Sequence, residues 1–136
     1  MSKKHNKTVD SDKLKRSECP ITNALELIGD KWTLIVVRDL FIGKKTYSEF
    51  QQSPEGIPTN ILADRLKRLE ISGIMEKKPY QQKPVRYEYL LTEQGKGLGN
   101  VLSALKDWGL KYIPGTSTRM ADEYMQSQSD KASENT

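Results

Sequence analysis

The sequence predicts a mainly α-helical fold with a small β-hairpin and an additional helix after it. Two observations lead there. Apolar residues recur at helical spacing in stretches punctuated by Gly and Pro, and near residue 74 the apolar period changes from about 3.6 to two. The chain has 136 residues, enough for one domain with a core of its own.

Residues 1–17 are polar, with no sustained apolar period, and are expected to form a disordered basic arm. From Cys19 the pattern changes. Pro20 can open a helix, and Ala24, Leu25, Leu27 and Ile28 give it a short apolar face that ends at Gly29. In DKWTLIVVRDLFIG, Asp30 is a good N-cap. Trp32, Leu34, Ile35, Val36, Val37, Leu40 and Phe41 make the helix apolar around most of its circumference, as a central core helix should be. In KKTYSEF, Thr46 and Glu49 have capping-box spacing ahead of a short helix over 47–52. SPEGIP is a turn. The next helix runs from Pro58 to Ser72, with Ile61, Leu62, Leu66 and Leu69 at helical spacing and Gly73 to stop it.

IMEKKPY and VRYEYLL then flank a QQKP turn and predict a hairpin, with Val85, Tyr87 and Tyr89 on its half-buried face. Thr92 caps a long final helix whose stripe is Leu98, Val101, Leu102, Leu105, Trp108 and Tyr112. Pro114 and Gly115 end it. Residues 18–114 thus form the expected domain, and 115–136 a polar tail in which Met120, Tyr124 and Met125 offer at most a marginal helix and disorder is expected.

Bulk properties exclude several functions. Charged residues make up 29% and the net charge is +4, with mean hydropathy −0.71 and pI about 9.1. The bias toward polyanions is mild. No apolar run approaches the roughly 20 residues of a membrane span. MSKKHNKTVDSDKLKRSE lacks the apolar segment of a secretory signal, so a cytoplasmic location is expected. One cysteine, Cys19, and one histidine, His5, are too few for a disulfide framework, a Cys/His metal site or most triads. No metal, cofactor or catalytic residue is expected, and the chain is not read as an enzyme.

A short helix, a tight turn, an amphipathic helix and then a hairpin make a winged helix-turn-helix, in which the second helix enters the DNA major groove. Beside the buried leucines, GIPTNILADRLKRLE presents Thr59, Asn60, Ala63, Asp64 and Lys67 near the helix start. Asn can pair with adenine, and Ala or a Thr methyl can touch a thymine methyl. Arg65 and Arg68 lie toward the flanks, better placed for phosphates, with Asp64 orienting one of them. Ser48, Pro58 and the hairpin's Lys83 and Arg86 complete the expected DNA-binding set. A charged helix face or hairpin is by itself only a solvated surface; here the turn before and the hairpin after favour DNA. A winged helix used only for protein contact is the alternative.

Residues 19–109 resemble the HxlR-type winged-helix transcriptional regulators almost end to end. The resemblance rests on the early CP, LIGDKWTLIVVRDL, YSEF, GIPTNILADRLKRLE, RYEYLLTEQG and the final DWG. It implies a bacterial homodimer on a roughly two-fold operator, with the first and last helices forming the interface. Ala24, Leu25, Ile28, Leu98, Val101, Leu102, Leu105, Trp108 and Tyr112 then belong to that interface. The long stripe of the last helix supports this independently, because apolar surface is left over beyond a small core. The resemblance also makes Cys19 a candidate redox sensor. A following helix and nearby Lys15 and Arg16 can lower its pKa; the alternative is an inert small hydrophobe. A small-molecule effector lined by Trp32, Tyr47 or Trp108 is a further expectation, weighed against simple core packing of those rings.

Overall fold

The computed structural model describes residues 17–134. The elements are α1 (Pro20–Ile28), α2 (Lys31–Ile42), α3 (Tyr47–Gln51), α4 (Thr59–Ile71), β1 (Met75–Gln82), β2 (Val85–Leu91), α5 (Glu93–Lys96), α6 (Gly99–Tyr112) and α7 (Arg119–Glu134). The basic-arm expectation for residues 1–17 falls almost wholly outside the described residues.

Helix α2 is the hub, packing against α1, α4, α6, α7 and β2. Asp30 caps it by accepting from the Thr33 amide at 2.8 Å. Gly43 ends it at φ 110°, a left-handed conformation that a side chain would strain. Val36, Val37 and Leu40 join Phe50, Ile57, Leu62, Leu66, Leu69, Ile74 and Met75 in the core. The leucine row read from α4 is buried, whereas of the apolar residues read from α2 only Val36, Val37 and Leu40 are, with Trp32, Leu34 and Ile35 half-buried and Phe41 exposed.

The core also encloses a polar cluster. Asp39, 1% exposed, accepts from Arg38 Nη2 at 2.8 Å and from Ser53 Oγ, and pairs with Lys44 Nζ at 3.5 Å. Lys44 Nζ also donates to Ser53 Oγ at 2.8 Å. Arg38 then reaches Glu55 in a bidentate pair at 2.8 and 3.0 Å. Each buried charge is matched and hydrogen-bonded, the condition under which such a cluster is tolerated. It ties the end of α2 to the turn between α3 and α4.

The hairpin is antiparallel, Met75 opposite Leu91 and Gln82 opposite Val85, with an irregularity between Pro79 and Gln81. The strands extend further than expected. Gln81 and Gln82 are strand residues, which leaves Lys83 and Pro84 as the tip. Only the hairpin's base is covered: Tyr89 and Leu91 pack on the core, while Val85 and Tyr87 stand exposed. Tyr89 N donates to Lys45 O at 2.7 Å and anchors β2 to the loop before α3.

Two other expectations need correction. The long helix after Thr92 is broken into α5 and α6 around Gly97 and Leu98. Thr92 does cap α5, accepting from the Gly95 amide. Gly95 sits so close to the Ile74 carbonyl that a Cβ would lie 2.1 Å from its oxygen, so only glycine fits where the chain turns. The tail expected to be disordered instead carries α7 across residues 119–134. Its apolar signal was sparse (Met120, Ala121, Tyr124 and Met125), and packing on α2 supplies what local propensity lacks.

Candidate nucleic-acid interface

The capping box at the start of α3 forms as its spacing predicts. Thr46 accepts from the Glu49 amide, and Glu49 Oε1 accepts from the amides of Lys45 and Thr46 at 2.7 and 3.0 Å. Burial alone would raise the Glu49 pKa; these amides outweigh it and hold the carboxyl below its ordinary value. Tyr47 Oη donates to Thr59 O at 3.1 Å, locking α3 to the first residue of α4.

Helix α4 begins after Pro58, which gives no side-chain cap. Its first-turn N–H groups therefore face outward, an arrangement suited to an anion. Pro58, Thr59, Asn60, Ala63, Asp64, Lys67 and Arg68 are exposed, as is Ser48 on α3. Leu62, Leu66 and Leu69 point the other way, 0–4% exposed. The exposed face is that of the expected base-reading set.

Arg65 departs from its expected place. Its Nε lies 2.6 Å from Asp30 Oδ2 and its Nη1 2.6 Å from Asp64 Oδ2, leaving the side chain 18% exposed. Asp30 therefore caps α2 with one oxygen and grips α4 with the other. Burial would lower the Arg65 pKa; the two carboxylates prevail and raise it. Helical spacing places Arg65 on the flank, but Asp30, 35 residues away in the chain, comes within reach only in the folded structure. Arg65 acts as a brace on α4, and the cations that this helix leaves exposed are Lys67 and Arg68. Arg68 keeps half its surface free while pairing with Asp64 at 3.6 Å.

The hairpin's cations divide similarly. Lys77 lies over the Tyr87 ring at 4.6 Å, and Lys78 pairs with Glu76. Lys83 and Arg86 are exposed at and beside the tip, with no ion pair among the described residues. Arg86, Tyr80, Tyr87, Thr46, Tyr47 and Ser48 line a cleft of about 320 Å³ between wing and α3.

Of the expected dimer residues, Ala24, Leu25, Val101, Leu105, Trp108 and Tyr112 are exposed, the last five by 40–59%. Ile21, outside the expected set, is exposed by 69% on α1. The rings of Trp108 and Tyr112 meet on α6 at 5.3 Å in a tilted pair. Ile28 does not belong with them: it is 6% exposed and part of the core. Leu98 and Leu102 are half-buried against that core.

Cys19 is an exposed free thiol. Hydrogen bonds from the Thr22 amide and hydroxyl, and then the Ile21 amide, lower its pKa. Lys15 and Arg16, expected to help, lie outside the described residues. The aromatics considered for an effector site separate. Trp32 and Tyr47 pack on the core, and Trp108 is exposed by 59%. Among the described residues, no helix is long and apolar enough to cross a membrane.

Comparison with known proteins agrees with this geometry. A family model described as HxlR-like helix-turn-helix matches residues 27–117. An uncharacterised HTH-type transcriptional regulator of Mycobacterium tuberculosis, Rv3095, is 37% identical over 94 residues, 69% of this chain and 59% of its own length. The chain thus spans less than two thirds of that relative. Among solved structures, PA1607, a transcription factor candidate, superposes with a TM-score of 0.68 at 38% identity, covering 77% of this chain and 74% of its own. The redox regulator HypR in its oxidised form gives 0.63 at 35% identity, covering 68% and 96%.

Proposed function

The chain belongs to the HxlR-like helix-turn-helix family, whose members are transcriptional regulators and not enzymes; from that premise we propose that it binds duplex DNA as a homodimer on a two-fold-related operator. The observation that carries the reading is the exposed start of α4 together with Lys83 and Arg86 of the wing, which make no ion pair among the described residues. A helix end with free N–H groups and a short polar face suits the major groove, and two cations on an adjoining hairpin suit the backbone beside it. In this reading Thr59, Asn60 and Ala63 meet base edges, while Ser48, Lys67, Arg68, Lys83 and Arg86 meet phosphates. Asp64 and Arg65 hold the helix at its angle.

The dimer reading draws on the exposed apolar residues of α1 and α6, Ile21, Leu25, Val101, Leu105, Trp108 and Tyr112. A small domain that leaves two aromatics and four aliphatics open to water has surface suited to a partner copy. Fluorescence anisotropy on labelled operator-length DNA over a salt series tests DNA contact. Log affinity falls with log salt by about 0.9 per phosphate neutralised. A flat response assigns the α4 face to a protein partner instead.

Cys19 is the proposed redox element. Its exposure and lowered pKa favour the thiolate, the form that oxidants attack. With no second cysteine in the chain, oxidation by a disulfide-forming reagent joins two protomers or adds a small thiol. Diamide changes the DNA affinity of the wild-type chain, and Cys19→Ser abolishes that change while leaving reduced binding intact. An oxidant response that survives Cys19→Ser sinks this part of the reading.

A further inference from the structure

Helix α7 lies outside the residues that the family shares, yet it touches the helix-turn-helix at its entry. Tyr124 Oη donates to Glu49 Oε2 at 3.3 Å, on the carboxylate whose other oxygen closes the α3 capping box. Lys44 Nζ, from the buried cluster, lies 5.4 Å from the centre of the Tyr124 ring. Gly43 lies near the same ring, whose Cε2 is 4.0 Å from where a Cβ would stand.

On the same helix, Met120, Ala121 and Met125 form one wall of a cavity of about 730 Å³. Phe41 of α2 and Leu102 of α6 are among the residues that close it on the other sides. That volume suits a drug-sized molecule, and methionines adapt their shape to what they contact. The charges around it balance. Arg38 pairs with Asp39 and Glu55, and the other two lining charges, Lys106 on α6 and Asp122 on α7, are of opposite sign. Nothing there recruits a net charge.

We propose that this cavity binds an uncharged, largely apolar small molecule, and that α7 reports its occupancy to α3 through Tyr124. Ala121, Tyr124 and Met125 are spaced i, i+3 and i+4, so the cavity wall and the latch occupy one helix face and move together. A ligand that pushes this face outward draws Tyr124 off Glu49 and Lys44. One oxygen of the capping carboxylate is then left to water. The site shares none of the DNA contacts proposed above, but Leu105 on its wall also belongs to the proposed dimer face, so dye binding is read over a protein concentration series that separates the two.

The test uses the full chain and Nile red, an uncharged apolar dye, with amide hydrogen exchange as a second readout. One saturable, blue-shifted site per chain is expected. It is lost in both Ala121→Trp and Ser103→Trp, which fill the cavity from α7 and α6. Dye binding speeds exchange at the Thr46–Phe50 amides by about three- to tenfold, the loss of roughly one hydrogen bond. Tyr124→Phe retains the dye but exchanges fast without it. Absence of a saturable site overturns the proposal, as does full retention in both Trp variants. So does exchange at α3 that ignores the dye. Dye uptake that vanishes as protein concentration rises assigns the cavity to a second copy and overturns it too.

Discussion

Asp30 offers the sharpest perturbation, because two substitutions separate its two bonds. Its Oδ1 caps α2 through the Thr33 amide, and its Oδ2 holds Arg65 on α4. Asparagine caps a helix about as well as aspartate, so Asp30→Asn removes the charge pairing and keeps the cap. Arg65 is 18% and Asp30 36% exposed, so solvent screens the pair and its loss costs about 0.5–1 kcal/mol. Asp30→Ala loses the cap as well, worth about 1 kcal/mol, for about 1.5–2 kcal/mol in all. Urea unfolding at neutral pH and one fixed protein concentration reads both values from the midpoint, with unchanged slope. Equal losses in the two variants refute the capping role. An Asp30→Asn as stable as wild type at low salt refutes the brace.

The other predictions concern DNA, assembly and pH. Asn60→Ala relaxes sequence preference and costs about 1–3 kcal/mol on the preferred site, whereas Arg86→Ala weakens all sequences alike and lowers the salt slope by about 1; competition binding across sequences and salt separates the two. Leu105→Glu places a charge on a face more than half exposed in the monomer. It shifts sedimentation at micromolar concentration from dimer to monomer without lowering helix content; an unmoved sedimentation coefficient removes α6 from the interface. Burial, then the Glu49 carboxylate, pushes the Tyr124 hydroxyl up to about 12. The folded chain therefore keeps a proton that the unfolded chain loses near pH 10, and stability falls as pH rises through about 10 to 12. Urea midpoints in Tyr124→Phe fall less steeply over that window; an identical slope dissociates Tyr124 from it.

Local signals carried far in this chain, and non-local ones did not. Asp30, the Thr46–Glu49 box, Thr92 and the leucine row of α4 were legible because each rests on residues within one or two helical turns. The exposed face of α4 followed from the same spacing. The Arg65–Asp30 brace forms only after α2 and α4 have packed, and the Asp39–Lys44–Ser53 cluster only once the turn after α3 folds back on the end of α2; nothing in RD or KK marks them. The break at Gly97 was visible in the glycines at 95, 97 and 99, but the apolar stripe that spans them masked it. Ile28 fitted the periodicity of an interface and of a core equally well; only packing decided between them. Helix α7 was legible only as a marginal helix set below disorder, because its few apolar residues are too sparse to predict a stable helix without α2 beside them.

The most direct test of the central claim is selection of binding sites from random duplex DNA with the purified, reduced chain at about 150 mM salt. Two related half-sites, about one helical turn apart, are the predicted result, with Asn60→Ala blurring the preference within each half. Recovery of no enriched motif, or of a single unpaired site bound equally well by Asn60→Ala, contradicts the account.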